Sequence, residues 1–134
     1  MNVLWDPDPS AQERYRYAVG DVRALASAPL VYRHLEDDPD SELVVIGPLV
    51  DLDQACALVE SVRADRPEIG FVLLRPRLDV STLGQALRSG FREVIAADDS
   101  TALADAVRRS RELTVKMVGH TKGSSHQVGR IVTV

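Results

Sequence analysis

Runs of apolar residues of strand length alternate along the chain with segments of helical periodicity. Leu43 to Ile46 and Phe71 to Leu74 are unbroken apolar runs, which are typical of central strands buried on both faces. Shorter runs predict three more strands, over 2–5, 22–26 and 93–96. Between the runs, apolar residues recur three or four positions apart, which predicts amphipathic helices. The alternation predicts an α/β protein, because each crossover between parallel strands needs a covering helix.

Residues that favour helix ends predict where the helices begin and end. Ser10, Ser81 and Ser100 are expected to cap the first, fourth and last helices, while Gly20 and Gly90 end the first and fourth. Pro29 fits the first turn of the second helix, and the acidic run 36–40 is expected to break it. The alternating strands and helices predict a doubly wound parallel sheet of five strands in the order 2-1-3-4-5. This is a receiver- or flavodoxin-like three-layer sandwich.

Composition narrows the classes of function. The chain has 134 residues, 45% hydrophobic and 27% charged, which suits one soluble domain and excludes wholesale disorder. A net charge of −4 disfavours nucleic-acid binding, and no apolar run is long enough to span a bilayer, so the expected location is cytoplasmic. Cys56 is the only cysteine, and the three histidines lack the spacing of metal ligands, so no metal or cofactor is expected. Those histidines are His34, His120 and His126.

The composition changes near the carboxyl end. Residues 117–134 are rich in glycine and serine and end in a strand-like run, Ile131 to Val134. We therefore expect an atypical receiver-like domain over 1–116, then a linker and the first strand of a further domain. The stretch 119–124 lacks the Gly-x4-Gly-Lys-Ser/Thr order of a phosphate-binding loop, so it predicts no nucleotide site.

Over about residues 1–113 the order of elements and motifs resembles the receiver domains of bacterial two-component systems. The stretches 42–66 and 86–95 carry the resemblance best. It implies a working site at the carboxyl ends of the strands. There an acidic pair after the first strand would hold Mg²⁺ and an aspartate nucleophile would end the third, with a hydroxyl residue after the fourth strand and a lysine after the fifth.

At those positions this chain keeps only the acidic corner, Asp6 and Asp8. Gly47 stands at the nucleophile position, Arg75 at the hydroxyl position and Ala97 at the lysine position. The substitutions predict a non-catalytic pseudo-receiver. Arg75 is expected to reach across the vacant site toward Asp6 and Asp8.

A degenerate receiver followed by a linker and the run 129–134 resembles the amino-terminal part of the CpaE/TadZ family of pilus-assembly proteins. In that family a receiver-like domain precedes a ParA/MinD-type ATPase. The resemblance implies a module that dimerises or localises a larger Flp/Tad pilus-assembly protein. Its partners would be other pilus-assembly or polar and septal proteins, at the inner face of the membrane.

Three hypotheses about the function therefore remain open. The first is a non-catalytic interaction module, which would form a homodimer through the last strand and its flanking helices. The second is a phosphorylatable receiver using Asp51 or Asp53, although both lie where helix capping is the commoner role. The third is a small-anion sensor that uses Arg75 and Arg77. The candidate dimer face comprises Leu83, Leu87, Arg88, Arg92, Asp105, Arg108 and Arg109.

Overall fold

A computed structural model describes residues 1–109 and Glu112. The expected domain boundary, the linker and the terminal strand of 117–134 lie outside the described residues. The elements in chain order are β1 Asn2–Trp5, α1 Pro9–Val19, β2 Val22–Leu25, α2 Ala28–Asp37, β3 Leu43–Ile46, α3 Leu52–Asp65, β4 Gly70–Arg75, α4 Val80–Ser89 and β5 Glu93–Ala96. A further helix, α5, covers 100–109.

The five strands form one parallel sheet in the order β2-β1-β3-β4-β5, which confirms the predicted topology. The register places Trp5 beside both Leu25 and Ile46, and Arg75 beside Ala96. Because all strands run the same way, the residues that follow them meet at one edge of the sheet.

Each face of the sheet carries its own core. One combines Val3, Val44 and Phe71 with side chains of α2, α3 and α4. The other combines Leu4 and Val45 with side chains of α1 and α5. The unbroken apolar run of β3 is explained by this arrangement, since its alternate side chains enter different cores and all are fully buried.

The serine caps predicted for three helices are wrong, because aspartates nearby serve instead. Asp8 accepts a hydrogen bond from the Ser10 amide at 3.1 Å, and Asp79 accepts one from Thr82 at 2.8 Å. Asp99 likewise accepts from Ala102 at 3.0 Å. A carboxylate reaches the free amides of the first turn and also complements the positive end of the helix dipole. In α1, Pro9 needs no amide partner and can start the helix two residues earlier than predicted.

Glycine ends the first and fourth helices as predicted. Gly20 and Gly90 both have positive φ, 89° and 119°, a conformation that side chains with a Cβ rarely adopt. The second helix runs two residues into the acidic run and ends at Asp37. In the part of the chain that the structure describes, no helix is both long and apolar enough to cross a bilayer.

Candidate functional site at the carboxyl edge of the sheet

Backbone hydrogen bonds align the residues that leave the strands. The amide of Gly47 donates to the carbonyl of Trp5 at 2.8 Å, and that of Ala97 donates to the carbonyl of Arg75 at 2.9 Å. The amide of Asp6 donates to Leu25 at 3.1 Å. The sheet ladder thus continues one residue past the strands and places the predicted site residues along one edge.

Asp6 is fully buried at this edge and joins two loops. Its Oδ1 accepts a hydrogen bond from the amide of Asp8 at 2.9 Å, and its Oδ2 lies 3.4 Å from the amide of Leu49. Its backbone carbonyl accepts from the Gln12 side chain at 2.8 Å. One side chain therefore connects the β1–α1 loop to the β3–α3 loop.

The carboxyl group of Asp6 lies directly over Gly47. A Cβ atom added to Gly47 would be 2.0 Å from Asp6 Oδ2 and 2.7 Å from its Cγ, far inside van der Waals contact. The backbone of Gly47 does not have the positive φ that favours glycine. Space, and not backbone conformation, is what requires glycine here. The sequence indicated a missing side chain at 47, but not that Asp6 fills the place.

Arg75 makes a different contact from the one expected. Its Nη1 donates to the carbonyl of Val50 at 2.9 Å. Within residues 1–109 it forms no ion pair with Asp6 or Asp8. The oxygens of Asp6 already accept hydrogen bonds from backbone amides. The carbonyl of Val50, in the β3–α3 loop, is the acceptor that Arg75 reaches. Arg75 thus ties the end of β4 to the β3–α3 loop.

The other carboxylates near the edge serve local structure. Asp8 caps α1, and Asp51 caps α3 by accepting from the amide of Gln54 at 3.2 Å. Asp53 accepts from the side chain of Gln85 at 2.9 Å, which links α3 to α4. Ala97 packs at the margin of the core that α1 and α5 cover.

This donor set does not fit the Mg²⁺ ion that the receiver fold implies. Mg²⁺ prefers several oxygen ligands in octahedral geometry, with carboxylates free to coordinate. The Asp6 oxygens face backbone amides, and Asp8 is occupied at a helix start. Across the described residues no group of three or more His, Cys, Asp or Glu side chains could hold a metal ion.

The apolar part of the candidate dimer face lies on α4. Leu83 is half-buried, while Leu87 is 55% exposed. Val80, which the sequence prediction did not include, is 86% exposed. Positions 80, 83 and 87 share one helical face, so α4 presents an apolar stripe to its surroundings.

The charged part of that face is mostly paired within the chain. Arg109 donates to both carboxylate oxygens of Glu93, at 2.6 and 3.2 Å, and this hydrogen bonding raises the pKa of Arg109. Arg108 pairs with Asp105 at 3.3 Å. Arg88 lies in the last turn of α4, exposed, over Gly84.

Arg92 differs from its neighbours in the predicted face. It lies over Gly70 and donates to the carbonyl of Glu68 at 3.2 Å, at the amino end of β4. Burial lowers the pKa of its guanidinium. Arg92 therefore packs against the end of the sheet.

No family model matches the sequence, and no curated protein matches it. Among solved structures, the chain is similar to a Burkholderia pseudomallei protein named as pilus assembly-related. Identity is 22% and the TM-score 0.71, over 84% of this chain and 90% of that one. It is also similar to a CheY-like response regulator receiver domain protein from Methanospirillum hungatei, with 14% identity, a TM-score of 0.73, and coverage of 87% and 96%.

A third similar structure is that of an atypical orphan response regulator, which is described as revealing a phosphorylation-independent regulatory mechanism. Its identity to this chain is 13% and the TM-score 0.69, over 82% of this chain and 94% of that one. Identities this low establish architecture and not activity. Together with the strand order, they show that the chain has the fold of receiver (CheY-like) domains.

Proposed function

We propose that this chain is a receiver-fold domain that accepts no phosphoryl group and acts as a protein-interaction module. The observation that carries the proposal is the position of Asp6 over Gly47, 2.0 Å from where a Cβ would lie. The end of β3 thus has neither a nucleophile nor room for one while Asp6 keeps its hydrogen bonds.

The chemistry of phosphoryl transfer supports the same conclusion. Aspartyl phosphorylation needs a carboxylate nucleophile and positive charge to offset the transferred group. Ala97 supplies no charge, and the guanidinium of Arg75 is bonded to the carbonyl of Val50. Asp51 and Asp53, the alternative acceptors, are engaged by Gln54 and Gln85.

The finer proposal is a module of a CpaE/TadZ-like pilus-assembly protein, which dimerises or localises that protein at the inner face of the membrane, at a pole or septum. Its support is the sequence resemblance, together with the similarity to the Burkholderia protein named as pilus assembly-related. In this proposal the segment beyond residue 116 leads into an ATPase domain. The partners would be other pilus-assembly or positioning proteins.

Intact-mass analysis tests the absence of phosphorylation. We expect the mass of the full chain to stay unchanged after incubation with Mg²⁺ and acetyl phosphate. A stable gain of one phosphoryl group would refute the proposal and favour the phosphorylatable receiver. The variants Asp51→Asn and Asp53→Asn would then show which carboxylate accepted it.

Self-association is tested by sedimentation velocity over a range of micromolar concentrations. We expect a dimer that Leu87→Arg dissociates, because this substitution puts a charge on an exposed leucine of the α4 stripe. Tyr17→Arg is the matched control, since Tyr17 is an exposed large side chain on α1, on the other side of the sheet. A wild-type chain that stays monomeric would argue against dimerisation. It would not argue against the proposal that the chain accepts no phosphoryl group.

A further inference from the structure

Two adjoining cavities lie between α2 and α3, on the side of the sheet away from α1 and α5. The larger, about 580 Å³, begins at the carboxyl ends of β1, β2 and β3, and the smaller, about 200 Å³, continues toward the far ends of the two helices. Tyr32 lines both. We call the combined depression the α2–α3 groove, lined mainly by Trp5, Tyr32, Leu35, Leu49, Leu58 and Val62.

The groove follows the axes of both helices. On α3 its lining residues run from Gln54 through Ala57 to Asp65 at spacings of three and four. On α2 they run from Ala28 through Tyr32 to Glu36. The α3 wall is roughly 16 Å long at the usual helical rise of about 1.5 Å per residue, which is three turns of a helix.

The floor of the groove is apolar and buried, whereas apolar side chains on its sides are accessible. Leu49 is 58% exposed and Tyr32 36% exposed, although both are large side chains. Ala57 is also exposed, and Trp5 lies beneath them. Exposed apolar side chains gathered in a concave surface are typical of binding sites.

The rim of the groove is acidic. Asp51 lies at the end of the groove near the carboxyl ends of the strands. Glu36 and Asp65 lie at the opposite end. Neither Glu36 nor Asp65 takes part in an ion pair within the described part of the chain. Arg66 is the one lining cation in that part, and it is held by Glu68 and by the carbonyls of Leu35, Pro39 and Ser41.

We propose that the α2–α3 groove binds an amphipathic helix of a partner protein, with an apolar face bordered by lysine or arginine. The walls are helices whose backbone groups pair internally, so they offer no edge for an extended peptide to join. An occupant that pairs its own backbone groups, as a helix does, suits these walls. The unpaired carboxylates of the rim select positive flanks. This deepens the proposed interaction role, on a surface separate from the α4 stripe.

The only tryptophan of the chain makes the binding measurable. Trp5 lies in the buried floor of the groove, where a bound helix changes its surroundings, so its fluorescence is followed together with the heat of binding by calorimetry. The probes are two synthetic helices of about 18 residues, or five turns, without tryptophan and with one shared leucine face. One carries lysine flanks and the other glutamate flanks. With the full chain we expect a saturable change for the lysine peptide and binding at least about tenfold weaker for the glutamate peptide.

Substitutions then locate the site. Ala57→Arg fills the groove at an exposed position and should weaken binding of the lysine peptide at least about tenfold. Ala104→Arg is the matched control, an exposed alanine of α5 on the opposite side of the sheet, and should bind as the wild type does. Glu36→Lys with Asp65→Lys should weaken the lysine peptide and strengthen the glutamate peptide.

Several outcomes would overturn the inference: equal affinity for the two peptides, no saturable binding by either fluorescence or calorimetry, or unchanged binding by Ala57→Arg. A Trp5 signal that changes with protein concentration alone in the Leu87→Arg variant would mean that a second copy of the chain occupies the groove, which also overturns it. The first three results would leave the outcomes of the phosphodonor and sedimentation experiments unchanged, so the two proposals can fail separately.

Discussion

Replacing Gly47 with alanine tests how the carboxyl edge is built. The new Cβ would lie 2.0 Å from Asp6 Oδ2, and Cβ contacts below 3.0 Å do not occur in real structures, so the carboxyl group must move by at least about 1 Å. That movement breaks its 2.9 Å hydrogen bond from Asp8 and disturbs the longer contact with Leu49. Asp6 is fully buried, so water cannot replace these partners without opening the edge.

The expected magnitude follows from those contacts. A hydrogen bond to a charged group contributes about 1.5–3 kcal/mol, and overpacking a tight site costs about 1–3 kcal/mol. We therefore expect Gly47→Ala to lower the free energy of unfolding by about 3–5 kcal/mol. In an Asp6→Gly background all three Asp6 atoms near the new Cβ are gone, including the Asp6 Cβ at 2.8 Å, and the same substitution should cost less than about 1 kcal/mol.

Urea unfolding of the four members of this double-mutant cycle, followed by circular dichroism, measures the coupling. Gly84→Ala is the matched control. Its new Cβ would meet only the flexible end of Arg88, at 3.1 Å, and within a helix alanine should stabilise by about 0.5–1 kcal/mol. Equal costs of Gly47→Ala with and without Asp6 would refute the steric relation between the two residues.

Three further predictions concern residues around the same fold. Arg75→Ala removes the bond to the Val50 carbonyl and should cost about 1 kcal/mol in urea unfolding; a loss above about 3 kcal/mol would instead indicate that its charge serves buried Asp6. Gly90→Ala forces a side chain into a backbone with φ 119° and should cost about 1–2 kcal/mol; an unchanged midpoint would contradict this. The pKa of Asp79 is lowered chiefly by the hydrogen bond from the Thr82 amide, so its carboxylate stabilises the fold above the unfolded pKa of about 3.9 and this stabilisation is lost as the pH falls through the lower, folded value. The advantage of the wild type over Asp79→Asn in unfolding free energy should therefore be present near neutral pH and disappear in acid, and an advantage independent of pH would exclude the carboxylate as its source.

The hydrophobic pattern alone determined the architecture. Strands such as β3 and β4 enter both cores, so their apolar runs are unbroken, and the helices between them bury one face each. Because parallel strands with such crossovers have few arrangements, the order 2-1-3-4-5 could be predicted from the alternation. The glycine ends of α1 and α4 were also predictable, since the left-handed conformation is a local property of the backbone.

The partners of individual side chains could not be predicted from the hydrophobic pattern. The predicted serine caps were wrong because a carboxylate just upstream competes for the same amides, and only geometry decides between neighbours. Arg75 donates to the carbonyl of Val50 because the fold brings the β3–α3 loop beside the end of β4.

The site and the groove depended on tertiary structure still more. The sequence determined that position 47 has no side chain, but not that Asp6, 41 positions earlier, lies over it. The α2–α3 groove joins side chains from β1, α2 and α3, none of which marks a binding site in its own segment. Local patterns decide which elements form, whereas the packing of those elements decides which residues meet, because the partners are separated along the chain and are brought together only by the fold.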